Sequence, residues 1–182
     1  VRLVEQPSFL SDEKVDSPQA AVRVLGKELK DYEVIIDCTA SNELLHYLSY
    51  SIKDKLLLSM CITNRSQNLL CISNADGNPF EIRKAYLAKI VQDTRNYYIE
   101  GTGCYSPTFL ATNSDIATLV NIAMRGINKD FENNQVPRTY IYSYDDRGVI
   151  ADYLHKYRPT LKGLKYAKVV IIFRSAMNYF HF

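Results

Sequence analysis

The sequence is short of several things, and each shortage removes a class of function. Its 182 residues hold four cysteines, Cys38, Cys61, Cys71 and Cys104, with no Cys-x-x-Cys pair among them. Thiols spaced this widely support neither a disulfide framework nor a zinc knuckle. No metal site is expected, and a reducing, cytoplasmic setting is. The longest apolar run is Val169–Phe173, far below the roughly 20 residues of a membrane-spanning helix. Nothing has the layout of a signal peptide, so no membrane partner is expected. The net charge is only +2, and the Lys and Arg residues are scattered, without the basic block or aromatic–basic interleaving of a nucleic-acid surface. Tyrosine is abundant, at 14 residues, but tyrosines build cores and interfaces more often than base-stacking platforms, and no nucleic-acid partner is expected. Gly-x-Ser-x-Gly and His-Glu-x-x-His are missing, so hydrolase chemistry has no anchor. The chain opens on Val1 rather than Met, and further sequence is expected ahead of it.

What is present alternates between strand-like and helix-like patterns. Residues 1–16 show no clear period and read as an irregular lead-in. Ser17 with Pro18 suits a helix start, and Ala21, Val22, Leu25 and Leu29 then share one face, with Gly26 as an interruption. Residues 33–38 (EVIIDC) and 56–62 (LLLSMCI) are apolar and partly β-branched, as buried parallel strands are. Between them, Ser41 can cap a helix carrying Leu44, Leu45, Leu48 and Ile52, which completes a βαβ unit. Asn68–Ser73 follows a polar turn and predicts a hairpin partner for the second strand. Asn78-Pro79 with Glu81 reads as a helix cap, ahead of Ile82, Tyr86, Leu87, Ile90 and Val91. Ile116, Leu119, Val120, Ala123, Met124 and Ile127 form the clearest helical stripe, capped by Asn113 or Ser114. Residues 139–144 alternate like a strand, 145–148 fit its turn, 149–157 suit either strand or helix, and 168–173 (KVVIIF) are a final strand. The layout predicts an α/β fold.

Two motifs carry candidate chemistry. Asp37-Cys38-Thr39-Ala40-Ser41 sits at the carboxyl end of the first buried strand, where open α/β sheets bind ligands. The plainer reading is that Asp37 and Ser41 satisfy the turn and cap the next helix. Cys104 follows Gly101-Thr102-Gly103 and is the one cysteine outside a strand-like run. It is either an accessible thiol or a structural loop cysteine. His46 and His155 lack partners at useful spacing and read as surface or packing residues.

The stretch DYEVIIDCTAS at residues 31–41, and Gly103-Cys104-Tyr105-Ser106-Pro107-Thr108-Phe109 running into a capped helix, resemble the ThiF family, which includes MoeB and the ubiquitin-activating enzymes. The likeness spans roughly residues 21–159. It implies a Rossmann-like, ThiF-type mixed sheet flanked by helices, incomplete at its amino-terminal nucleotide-binding half. The chain is then one carboxyl-terminal portion of such a domain: a lead-in over 1–16, a family-like core over 17–159, and an extra strand or tail over 160–182. The resemblance implies a parent enzyme that uses ATP and Mg to adenylate the carboxyl terminus of a ubiquitin-like or sulfur-carrier protein. Asp37 and Ser41 would line the adenylate crevice, and Cys104 would take the acyl group as a thioester. A homodimer is expected, because a sheet lacking its first strands leaves an edge uncovered.

Two departures bear on this. Nucleotide-binding members usually carry a second aspartate three residues after the first, and here that residue is Ala40; the Gly-x-Gly-x-x-Gly loop is missing too. The alternatives are a fragment of an NAD(P)-dependent dehydrogenase, which needs the same missing loop, and a degenerate, non-catalytic ThiF-like domain that only pairs with a partner or itself. Because a phosphate needs backbone N–H groups at a helix start, the chain by itself is expected to bind ATP weakly. Calorimetry should give a dissociation constant well above about 10 μM, equivalent to roughly −7 kcal/mol. Tighter binding would mean that the nucleotide site is whole.

Overall fold

The computed structural model describes residues 2–5, 18–63, 67–90, 113–145, 148–153 and 168–173. Among these, seven strands form one mixed sheet. They are β1 (Arg2–Glu5), β2 (Val34–Cys38), β3 (Leu56–Thr63), β4 (Asn68–Ser73), β5 (Tyr140–Asp145), β6 (Gly148–Tyr153) and β7 (Val169–Phe173). The order across the sheet is β1-β7-β2-β3-β4-β5-β6. The first four in that order run parallel, and β4, β5 and β6 continue antiparallel. The helices are α1 (Pro18–Glu28), α2 (Asn42–Ser51), α3 (Pro79–Ile90) and α4 (Asn113–Glu132). This is a Rossmann-like α/β architecture, as the sequence implied.

Alternation along each strand decides which helix covers it. Val34, Ile36, Leu58, Met60, Leu69, Cys71 and Tyr142 face one side, where Leu119, Ala123 and Ile127 of α4 bury against them. Ile35, Leu57, Val170 and Ile172 face the other side and meet Leu25 of α1, Leu29 in the turn just past that helix, and Leu44 and Leu48 of α2. Farther along that second face, Cys61, Leu70 and Ile72 are covered by Ile82 and Tyr86 of α3. Leu44, Leu48 and Ile52 of the second predicted helix, and Leu119, Val120, Ala123, Met124 and Ile127 of the clearest stripe, therefore pack as their spacing implied.

The connections are tied by side chains standing in for backbone. Asn78 accepts from the N–H groups of Phe80 and Glu81, capping α3 with Pro79 in its first turn. Past the end of β4, Asn74 extends the ladder with its amide, accepting from Leu57 N at 3.0 Å and donating to Lys55 O at 2.8 Å. Asp76, in the 3-10 turn Asn74–Asp76, pairs with Arg138 and accepts from Thr139 N, which locks that turn to the start of β5.

Two expectations need correction. Residues 2–5 of the supposed irregular lead-in form a strand, because pairing with β7 supplies an order that four residues cannot show by their own period. The supposed extra strand near the carboxyl end lies inside the sheet, with β7 parallel to β2 on one side and to β1 on the other. The edge beside β2, expected to be bare, is filled, and the edge argument for a homodimer loses its footing there. Residues 149–153, read as strand or helix, belong to β6. Val91 lies outside the described residues, as do all of 154–167.

Two helical glycines make opposite predictions. A Cβ on Gly26 meets nothing within 4 Å, so Gly26→Ala should stabilise by the helix-propensity difference of about 0.5–1 kcal/mol. A Cβ on Gly126 would stand 2.9 Å from the hydroxyl of Tyr142, which is itself buried. Gly126→Ala should forfeit that gain and lower the urea midpoint. Equal midpoint shifts for the two variants would overturn the α4–β5 packing described above.

Candidate functional site

Polar residues of the second face gather where the carboxyl end of β2 lies beside the middle of β3. Asp37 is the fourth residue of β2 and is 0% exposed. A buried carboxyl is tolerated only when its oxygens are satisfied, and here they are. Oδ1 accepts from Thr39 N at 3.0 Å and Thr39 Oγ1 at 2.7 Å, and Oδ2 accepts from Ser59 Oγ at 3.0 Å. The last bond follows from register, because Asp37 lies beside Ser59 in the parallel pairing. Burial raises the Asp37 pKa; the bonds from Thr39 and Ser59 and the charge of Arg83 oppose it but do not win.

The turn continues through the same network. Thr39 Oγ1 accepts from Ser41 N, and Ser41 Oγ accepts from Leu44 N at 3.2 Å, so Ser41 caps α2. Between them Ala40 is exposed and sits at φ 56°. A side chain in this left-handed region costs roughly 1–2 kcal/mol, and such strain collects where a backbone shape is needed for its own sake. Arg83 of α3 holds that shape: its Nη2 donates to the carbonyl of Ala40. Arg83 is 5% exposed, and its Nε and Nη1 are buried without hydrogen-bond partners.

Of the residues singled out in the sequence, Asp37 and Ser41 share one turn, in the plainer roles weighed for them: one satisfies the turn, the other caps the helix. Cys104 lies outside the described residues, with the whole of 101–109. His46 packs its ring against Tyr50 and Phe80, both at 4.8 Å, in line with a surface packing role. His155 is outside the described residues.

Cys38 corrects another expectation. Read as a buried strand cysteine, it is exposed, because it ends β2 beyond Ile36, the last buried residue on its face. Its surroundings still solvate a charge poorly. Desolvation, and then the Asp37 carboxyl, push the thiol up to about 12. Cys61 and Cys71 are buried as expected; burial raises both thiols, Cys71 to about 12.

Thr39, Ser59 and Arg83 were not singled out by their sequence. Ser59 had a signal, as the one polar residue in the buried run LLLSMCI. Arg83 had a weaker one, since it lies four residues before Leu87 and so borders the apolar stripe of its helix. Among the described residues no group of three His, Cys, Asp or Glu side chains could hold a metal, and no helix is long and apolar enough to cross a membrane. No protein-family model matches the sequence, and neither does any curated protein.

A raised Asp37 pKa has a definite sign in stability. The folded state favours the protonated acid, so its contribution is complete below the ordinary value of 3.8 and fades as pH rises through the higher folded value. Asp37→Asn keeps an acceptor for Thr39, and the Ser59 hydroxyl can turn to accept from the amide. Urea midpoints measured between about pH 4 and pH 7 should show Asp37→Asn gaining on the wild type as pH rises. Asp37→Leu orphans three donors and should lose about 1–3 kcal/mol throughout. An Asn-minus-wild-type difference that stays flat across that range would contradict a raised pKa.

Proposed function

We propose that the chain is part of a ThiF-like enzyme that activates the carboxyl terminus of a ubiquitin-like or sulfur-carrier protein and passes it to Cys104. One observation carries the reading. A parallel βαβ unit ends its first strand in Asp37-Cys38-Thr39-Ala40-Ser41, and the strained, exposed Ala40 stands at the rim of the crevice where open α/β sheets take ligands. The Gly103–Phe109 motif, running into α4, supports it from the sequence side.

In this reading Asp37 works from beneath. With both oxygens taken by Thr39 and Ser59, it fixes the turn, and the backbone of Ala40 and Ser41 forms the wall that the acyl-adenylate meets. ATP, held by the parent enzyme, would supply the activation: the partner's carboxylate would displace pyrophosphate, and the Cys104 thiolate would then take the acyl group as AMP leaves. ATP and Mg belong to the parent enzyme. The residues present here fit them poorly: Ala40 replaces the usual second aspartate, and residues 174–182, which follow β7, contain no glycine.

Those same features favour a second reading, in which the domain is non-catalytic and serves to bind a partner or a second copy of itself. The thiols separate the two. In a brief reaction with iodoacetamide at neutral pH, Cys104 should be alkylated ahead of exposed Cys38, whose thiol is pushed up to about 12, and well ahead of buried Cys61 and Cys71. In a longer protein carrying the nucleotide half, Cys104→Ala should abolish the thioester and spare ATP–pyrophosphate exchange. A thioester that survives C104A, or labelling of Cys38 before Cys104, would remove the transfer role. Absence of both exchange and thioester would leave the partner-binding reading standing.

A further inference from the structure

Arg83 is the least settled group in the described structure. A guanidinium stays ionised at any relevant pH, and burying an unpaired charge is strongly unfavourable. Arg83 is nonetheless 5% exposed and makes no ion pair among the described residues. Its one hydrogen bond runs from Nη2 to the carbonyl of Ala40, which leaves the N–H of Nε and both N–H groups of Nη1 with nothing to accept them. The carboxyl whose field it feels, Asp37, has both oxygens engaged by Thr39 and Ser59, and burial drives it toward the neutral acid. The same field reaches Cys61 on the neighbouring strand, so the guanidinium lies over the carboxyl ends of β2 and β3. A fixed positive charge and spare donors thus stand against a strained turn, on the second face of a parallel pair.

We propose that Arg83 is the anchor of an oxyanion site, receiving a carboxylate or phosphate group of a ligand at the Ala40 turn. Such a group matches a guanidinium in charge and in the spacing of its oxygens, and charge-assisted bonds of this kind are the strong ones. The Ala40 carbonyl holds the guanidinium by Nη2, so the remaining N–H groups are presented in a fixed direction. The site shares its turn with the adenylation reading but does not rest on it: an anion can bind here whether or not any acyl-adenylate forms.

The test uses the whole chain with inorganic phosphate and with sodium acetate, against chloride at matched ionic strength. Thermal unfolding should show a saturable stabilisation by at least one oxyanion. The stronger of the two responses tells a phosphate-bearing ligand from a carboxylate-bearing one. Arg83→Met keeps the apolar stem and removes the charge; it should abolish the response to both anions relative to its own unfolding in chloride. Arg83→Lys keeps a charge without the fork and should bind about tenfold more weakly or worse. Should the Met variant fail to fold, the Nε–H resonance of Arg83 in the wild type must still shift on titration with the same half-saturation as the thermal effect. A response that persists in Arg83→Met would mean an adventitious ion only and would overturn the proposal. So would a wild-type chain indifferent to both anions, or an Arg83 resonance that does not move.

Discussion

The pairing of β2 with β7 is the contact on which the rest of the sheet depends. It joins Val34–Cys38 to Val169–Phe173 in parallel register. At its mouth Glu33 N donates to Lys168 O at 3.0 Å, and Lys168 N donates to the Glu33 carboxylate at 3.2 Å. Among the described residues, β1 pairs with β7 alone. Val170 and Ile172 complete the apolar floor under α1 and α2. Paired on both sides and covered on both faces, β2 becomes an interior strand, and anything polar along it must find its partners inside the protein. Closing a contact across so much chain is entropically slow, which makes its burial of apolar surface the more necessary.

Asp37 and Arg83 meet that interior constraint in opposite ways. A carboxyl can become neutral, and it can also recruit donors, so Asp37 gathers Thr39 and Ser59 and drifts toward the acid form. A guanidinium can do only the second. With one carbonyl as its acceptor, it keeps both its charge and most of its bonding capacity. The Asp76–Arg138 pair at the start of β5 shows the ordinary solution, a buried carboxylate against a buried arginine. The two arginines thus differ in what they face: Arg138 meets a carboxylate, Arg83 a backbone carbonyl.

By itself the sequence determined the local pieces. The apolar runs, the 3.6-residue stripe of α4, the Asn78-Pro79 cap and the antiparallel β3–β4 hairpin are all legible, because each is enforced by neighbours a few residues away. Asp37 at the end of a buried strand and Ser41 as a helix cap were legible for the same reason. Tertiary structure alone decided the position of β7 within the sheet and the existence of β1 as a strand. It also decided the exposure of Cys38, and the meeting of Ser59 and Arg83 with the Asp37 turn. Those outcomes depend on which strand lies beside which, and in what register. Strand partners many residues apart are chosen by the summed burial of whole faces, a quantity that no local window of sequence contains.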